Sequence, residues 1–243
     1  MAVLGQHISH QFQSELEDVR SRVLAMGGLV EQQVRDALEA LMEGNGDLAE
    51  HVIRTDFRVN GMEVSLDEEC GRILARRQPA AGDLRLIISI IKTITDLERI
   101  GDEAEKIARM AQRLAAADFS AKGLAEVQHL GNHVSDEIHA ALDSFARLDP
   151  EAALNVAAED VKVDREYESV MRQCMTFMME DSRTIRRVLD VMWSARALER
   201  IGDHAKNISE YVIYLVKGKD VRHISLEDLR QEVEPDSKPK EDQ

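Results

Sequence analysis

The sequence predicts an all-α fold made by tandem duplication of a three-helix bundle. Three observations carry that expectation. Leu97-Glu98-Arg99-Ile100-Gly101-Asp102 returns unchanged as Leu198-Glu199-Arg200-Ile201-Gly202-Asp203, 101 positions later. Apolar residues recur at helical spacing through both halves, and no run alternates with period two. Aromatics are only 4% of the chain, while Ala, Leu, Glu, Arg and Met are plentiful, which suits helix packing better than sheet packing.

The repeat reaches well beyond the hexamer. At an offset of 104 positions Asp56 meets Asp160, Val59 meets Val163, Cys70 meets Cys174, Val30 meets Val134 and Leu38 meets Leu142. Later the offset falls to 101, where Arg85 meets Arg186 and Ile107 meets Ile208, so three residues are lost between the second and third elements of the second copy. A period near 100 is too long for a solenoid, so each copy is a small domain. The expected organisation is a first three-helix repeat over 1–117, a second over 118–224 and a disordered acidic tail over 225–243.

The elements follow in order. Val23, Val30, Val34, Ala37 and Leu41 share one face of the first helix. Gly44-Asn45-Gly46 ends it, and Asp47 is expected to cap the second. Gln78-Pro79 breaks the second helix, and the third carries Leu84, Ile87, Ile91, Ile94, Leu97, Ile100 and Ile107. In the second copy Ser120 is the expected first cap. Asp149-Pro150-Glu151 is a start signal, Ser182 is expected to cap the last helix, and Lys217-Gly218 to stop it. Beyond about Leu226 the chain is charged and poor in apolar residues, which predicts disorder.

Charge bounds the function. A net charge of −15 repels phosphate backbones and anionic lipid, so nucleic-acid binding and electrostatic adhesion to membranes are not expected. The most apolar stretches, Leu86–Ile91 and Tyr211–Val216, are far shorter than the roughly 20 residues of a membrane span. Two cysteines without a CxxC fit a reducing cytoplasm, and no signal peptide is expected. There is no GxxxxGK[ST], GxGxxG or GxSxG, and the eight histidines are read as showing neither HxxxH nor HExxH, so no zinc hydrolase and no catalytic residues are expected.

The repeated acids are the candidate site. Glu98 and Asp102 are four apart, as are Glu199 and Asp203, so each pair shares a helix face. The second helix of each copy has a matching pair, Asp56 with Asn60 and Asp160 with Asp164. If the second and third helices are neighbours, four oxygen-bearing side chains converge in each copy. Such oxygens suit hard cations such as Mg²⁺, Mn²⁺ or iron. The competing reading is salt bridging, Asp102 to Lys106 and Glu199 to Arg196. Gly101 and Gly202 sit mid-helix, where Gly costs about 1 kcal/mol relative to Ala, and are read as points of close helix approach. Cys70 and Cys174 are expected as small core residues, His204 as a packing or surface residue, and Met171, Met175, Met178 and Met179 as core.

Three segments carry a family resemblance. Gln78-Pro79-Ala80-Ala81-Gly82-Asp83-Leu84-Arg85, the third-helix run ending in Leu97-Glu98-Arg99-Ile100-Gly101-Asp102, and its second copy resemble the PhoU family, the accessory proteins of bacterial phosphate-specific transport. The resemblance covers residues 5–218. It implies a cytoplasmic regulator, peripheral to the inner membrane through its partners. Those partners are the ATPase subunit of the phosphate ABC transporter and a phosphate-sensing histidine kinase. It implies that the family holds the phosphate-starvation response off when phosphate is plentiful. It also implies metal ions of the Fe, Mn, Mg or Zn type on Glu98 and Asp102, and on Glu199 and Asp203. The helix-two positions of the same motifs are Asp56 and Asn60, and Asp160 and Asp164. An apolar stripe on a duplicated α-protein further suggests a homodimer. The alternative is a carboxylate-bridged helical bundle with a redox or metal-handling role; the absence of Glu-x-x-His counts against it.

Overall fold

The computed structural model describes residues 10–117, 119 and 125–234. Its helices are α1 (His10–Glu43), α2 (Gly46–Arg77), α3 (Ala81–Ala116), α4 (Ala125–Arg147), α5 (Pro150–Glu180), α6 (Ile185–Lys217) and α7 (Leu226–Val233), with a 3₁₀ turn over Ser182–Thr184 ahead of α6. No strand occurs among the described residues. The first three helices pack on one another, as do α4, α5 and α6, and the two sets meet mainly along α3 and α6. No helix among the described residues is long and apolar enough to cross a membrane.

Local chemistry sets the boundaries. Gly44 takes a positive φ of 68° after α1, and the Asn45 side chain caps α2 by accepting from the Leu48 N–H at 3.0 Å. The cap is therefore Asn45, not Asp47, because Asn45 is the residue in extended backbone beside the first free N–H groups. Asp149 accepts from the Glu151 and Ala152 N–H groups, with Pro150 at the first position of α5, as the sequence predicts. Ser182 does not cap α6: Asp181 caps the 3₁₀ turn by accepting from the Arg183 N–H, and α6 starts after Thr184 without a side-chain cap. Gly218 closes α6 at φ 77°. Ser120 lies outside the described residues.

The predicted tail needs correction over Leu226–Val233, which is helical. Ser225 accepts from the Asp228 N–H at 3.1 Å, and Leu229 and Val233 are buried. Lys217 Nζ donates to the Val233 carbonyl at 3.0 Å. Burying two aliphatic side chains contributes about 1.5–3 kcal/mol each, which holds a short helix that composition alone argues against. The segment 235–243 lies outside the described residues.

A pseudo-twofold arrangement joins the copies. A Cβ on Gly27 would meet Leu142 Cδ2 at 2.5 Å, and one on Gly131 would meet Leu38 Cδ1 at 2.4 Å. These are the same contact seen from either copy, since both residue pairs are related by the offset of 104. Glycine here is what lets α1 cross α4. Gly131→Val is therefore expected to lower stability by about 1–3 kcal/mol through overpacking against Leu38. A denaturant midpoint that stays put or rises would show that the leucine simply gives way.

The α3–α6 seam buries polar groups from both copies. Asp96 Oδ1 lies 2.7 Å from His204 Nδ1 and accepts from Asn207 Nδ2 at 3.3 Å; its Oδ2 accepts from the Tyr211 hydroxyl at 2.8 Å. Glu103, also buried, pairs with Lys106 at 2.9 Å and Arg200 at 2.8 Å. His204 is thus a packing residue with a charged partner. Cys70 and Cys174 are fully buried, and burial pushes their thiols up to about 12 and about 11. The methionine cluster is corrected. Met178 packs against the core, but Met175 and Met179 are exposed, Met179 by 88%. They occupy the outer face at the C-terminal end of α5, where no helix covers them.

Candidate functional site: two acidic clusters

In the first copy the α2 pair and the α3 pair do come together, joined by a residue of α1. Asp56 is buried; its Oδ1 accepts from Gln33 Nε2 at 3.2 Å and its Oδ2 from Asn60 Nδ2 at 3.0 Å. Burial raises the Asp56 carboxyl above its ordinary pKa, the two amide hydrogen bonds oppose this, and the charges of Asp102 and Glu105 add to it. Glu98 is raised by burial and then by Asp102, Glu63 and Asp56. These carboxylates therefore sense one another across the α2–α3 contact. Lys106 does not pair with Asp102; it turns to Glu103, leaving the acidic face without that compensation.

The second copy repeats the plan with different compensation. Burial raises Glu199, with Asp203, Asp164 and Asp160 adding to the shift and Arg196 opposing it. Asp203 is raised by loss of hydration and by Asp160 and Asp164, and Asp164 by loss of hydration and by Asp160. Arg196 does bridge Glu199 at 2.6 Å, as the salt-bridge reading predicts. A second cation enters: Lys206 Nζ lies 2.7 Å from Asp160 Oδ2. In the first copy its counterpart is Glu105, which pairs with Arg109 at 2.6 Å instead.

Gly101 and Gly202 sit against these clusters, as their mid-helix positions suggest. A Cβ at Gly101 would stand 3.2 Å from Asp56 Oδ1 and 3.3 Å from Gln33 Oε1. At Gly202 it would stand 3.1 Å from Glu137 Oε2. Glycine leaves room for the acids of the neighbouring helices.

Sequence reasoning missed the first-helix members, Gln33 and Glu137. They are related by the same offset of 104, but an amide faces a carboxyl, so identity matching passes over them. Glu137 is 4% exposed and neither of its oxygens has a hydrogen-bond partner. Burial, reinforced by Asp160 and opposed by Lys206, pushes its carboxyl up to about 9. A further omission is His129-Leu130-Gly131-Asn132-His133, a His-x-x-x-His spacing on α4 that corrects the reading of the histidines.

The donor set fits a hard cation. Several oxygens at the clusters are buried without a hydrogen-bond partner: Gln33 Oε1 and Asn60 Oδ1 in the first, Glu137 Oε1 and Oε2 and Glu199 Oε2 in the second. Buried acceptors of this kind cost about 1–3 kcal/mol each unless something binds them. Among the described residues, however, no three His, Cys, Asp or Glu side chains already stand around one point as metal ligands.

Comparison with known proteins places this architecture. A PhoU domain model matches residues 23–111 and again 127–212, once in each copy. The chain is 58% identical over 231 residues to a phosphate-specific transport system accessory protein PhoU homolog of Pseudomonas aeruginosa, covering 95% of this chain and 96% of that one. It is 50% identical over 226 residues to the Escherichia coli K12 protein of the same description, covering 93% of each. The crystal structure of PhoU from Pseudomonas aeruginosa superposes with a TM-score of 0.83, covering 86% of this chain and all of that one. The PhoU structure from Streptococcus pneumoniae, 28% identical, gives 0.80 over 86% of this chain and 99% of that one. The fold and its duplicated acidic clusters define a tandem duplication of a three-helix bundle. The chain belongs to the PhoU family.

Proposed function

We propose that this chain is an accessory protein of a phosphate-specific transport system and a negative regulator of the phosphate-starvation response. In this reading it links the ATPase subunit of the phosphate ABC transporter to a phosphate-sensing histidine kinase by protein contact. The observation that carries the reading is family membership across both copies, with relatives of that description matching almost end to end.

The mechanism is a shift of populations rather than bond chemistry. A regulator biases a kinase only by binding its two states with different affinity. Moving such an equilibrium from 1:99 to 99:1 takes about 5.5 kcal/mol of differential affinity, within reach of one protein interface. Exposed Phe57, Met175, Met179 and Trp193 offer apolar anchors for such contacts, or for a second copy in a homodimer. Contact with the membrane would run through the partners.

The acidic clusters contribute cation binding in this proposal. Asp56, Asn60, Glu98 and Asp102 would hold an ion in the first copy. Asp160, Asp164, Glu199 and Asp203 would hold one in the second. An ion there would offset the mutual repulsion of the carboxylates and fix the spacing of the helices the partners touch. Lys206 and Arg196 already pair with two of the four acids of the second cluster, whereas the first has three acids, so the first is expected to bind more tightly.

The test is deletion of the gene followed by growth in phosphate-rich medium, read as alkaline phosphatase activity. The expected result is high activity that a plasmid copy silences. Activity that stays low without the gene contradicts the proposal.

A further inference from the structure

Beside the second acidic cluster lies a group of different chemistry. His129 and His133 stand one turn apart on α4, and both reach to a single carboxylate on α5. His129 Nε2 is 3.2 Å from Glu166 Oε1, and His133 Nδ1 is 3.0 Å from the same oxygen. His133 Nε2 is 3.7 Å from Glu159 Oε2. The other oxygen of Glu166 is buried and has no hydrogen-bond partner. A cavity of about 280 Å³, lined by Glu126, His129, Glu166 and Ser169, adjoins the group.

We propose that His129, His133 and Glu166, with Glu159 beside them, form a binding site for one borderline transition-metal ion such as Zn²⁺ or Co²⁺. The site is separate from the acidic clusters and independent of the regulatory reading above. Two histidines at i and i+4 present two imidazoles to one ion from a single helix, and a carboxylate from the facing helix supplies a third ligand. Imidazole donors select zinc, cobalt, nickel and copper, whereas all-oxygen clusters suit magnesium and manganese. The two regions of the same copy thus take different metals.

An ordinary interhelix hydrogen bond explains the geometry less well. It would use one histidine and satisfy both carboxylate oxygens; here two imidazoles crowd one oxygen and leave the other orphaned. In this arrangement the ligands close on one another, and binding requires His129 and the Glu166 carboxylate to turn. The His129 side chain is 72% exposed, so its rotation displaces no packing. The duplication does not extend to this site. At the offset of 104 its positions in the first copy are Ala25, Leu29 and Met62, which offer no imidazole or carboxylate. The site therefore predicts one ion per chain, not two.

The experiment uses the full-length chain without a polyhistidine tag, stripped with chelator and titrated with Co²⁺ in excess Mg²⁺, which competes for all-oxygen sites. The expected result is one Co²⁺ per chain with the intense visible bands of a tetrahedral nitrogen–oxygen site. His129→Ala, at an exposed position that leaves the fold intact, weakens that binding by more than about tenfold, since even an outer-shell change costs a metal site that much. The quadruple variant Glu98→Ala, Asp102→Ala, Glu199→Ala, Asp203→Ala keeps the bands. Absence of tetrahedral bands in the unmodified chain overturns the proposal, and so does binding unchanged by His129→Ala together with His133→Ala.

Discussion

Replacing Asp96 with Ala is expected to destabilise the folded chain by about 3–5 kcal/mol, because three groups lose one buried acceptor at about 1–3 kcal/mol each. Asp96 is 2% exposed and serves three donors from the other copy: His204, Asn207 and Tyr211. Its loss strands a buried imidazole and a buried phenol on α6. Burial, the largest cause holding the phenol above its ordinary pKa, persists in the variant, so the phenol has no route to ionise instead. Asp96→Asn keeps an acceptor at the position and should cost less, roughly 1–3 kcal/mol. Chemical denaturation at neutral pH measures both. A loss below about 1 kcal/mol for Asp96→Ala would mean the seam does not depend on this cluster.

Glu137→Gln should act in the opposite direction. The folded state holds the Glu137 proton up to about pH 9, whereas the unfolded chain releases it near the ordinary glutamate value of 4.5. Between those values the folded state binds the extra proton. Stability is therefore fullest below the unfolded pKa and falls as pH rises through the window toward about 9. Glutamine keeps the shape and removes the titration. At pH 7 the variant should be more stable by about 2–3 kcal/mol, on the scale of about 1.4 kcal/mol per pKa unit. Its stability should also lose part of its slope between about pH 5 and pH 9, Glu210 and the other raised carboxyls keeping the rest. Denaturant midpoints across that range, taken in chelator, check both. A variant less stable than the unmodified chain would show that Glu137 is held charged by Lys206.

These two residues also mark what could be read from the amino-acid order. The six long helices follow from apolar spacing, and Asp149-Pro150 and Lys217-Gly218 act where their capping chemistry places them. The acidic pairs on the second and third helices are visible because the duplication prints them twice. Asp96 is not, because its partners lie 108 to 115 positions away on a helix that no local period connects to it. Its counterpart at the offset of 101 is Ala197, so the repeat gives no hint either. Gln33 and Glu137 escape identity matching because the copies diverged there. The helix Leu226–Val233 escapes because two buried aliphatic residues outweigh a composition that argues for disorder. Local chemistry writes the helices; contacts between the copies write the buried polar seam.

The central claim is that the repeated acids serve regulation of phosphate uptake. The most direct measurement is complementation of a deletion strain in phosphate-rich medium, read as alkaline phosphatase activity. It compares the unmodified chain with Glu98→Ala, Asp102→Ala, Glu199→Ala, Asp203→Ala, at equal protein levels. The account predicts that the unmodified chain silences the enzyme and the variant does not. Full silencing by the folded variant would contradict it, because the duplicated clusters would then play no part in the regulation.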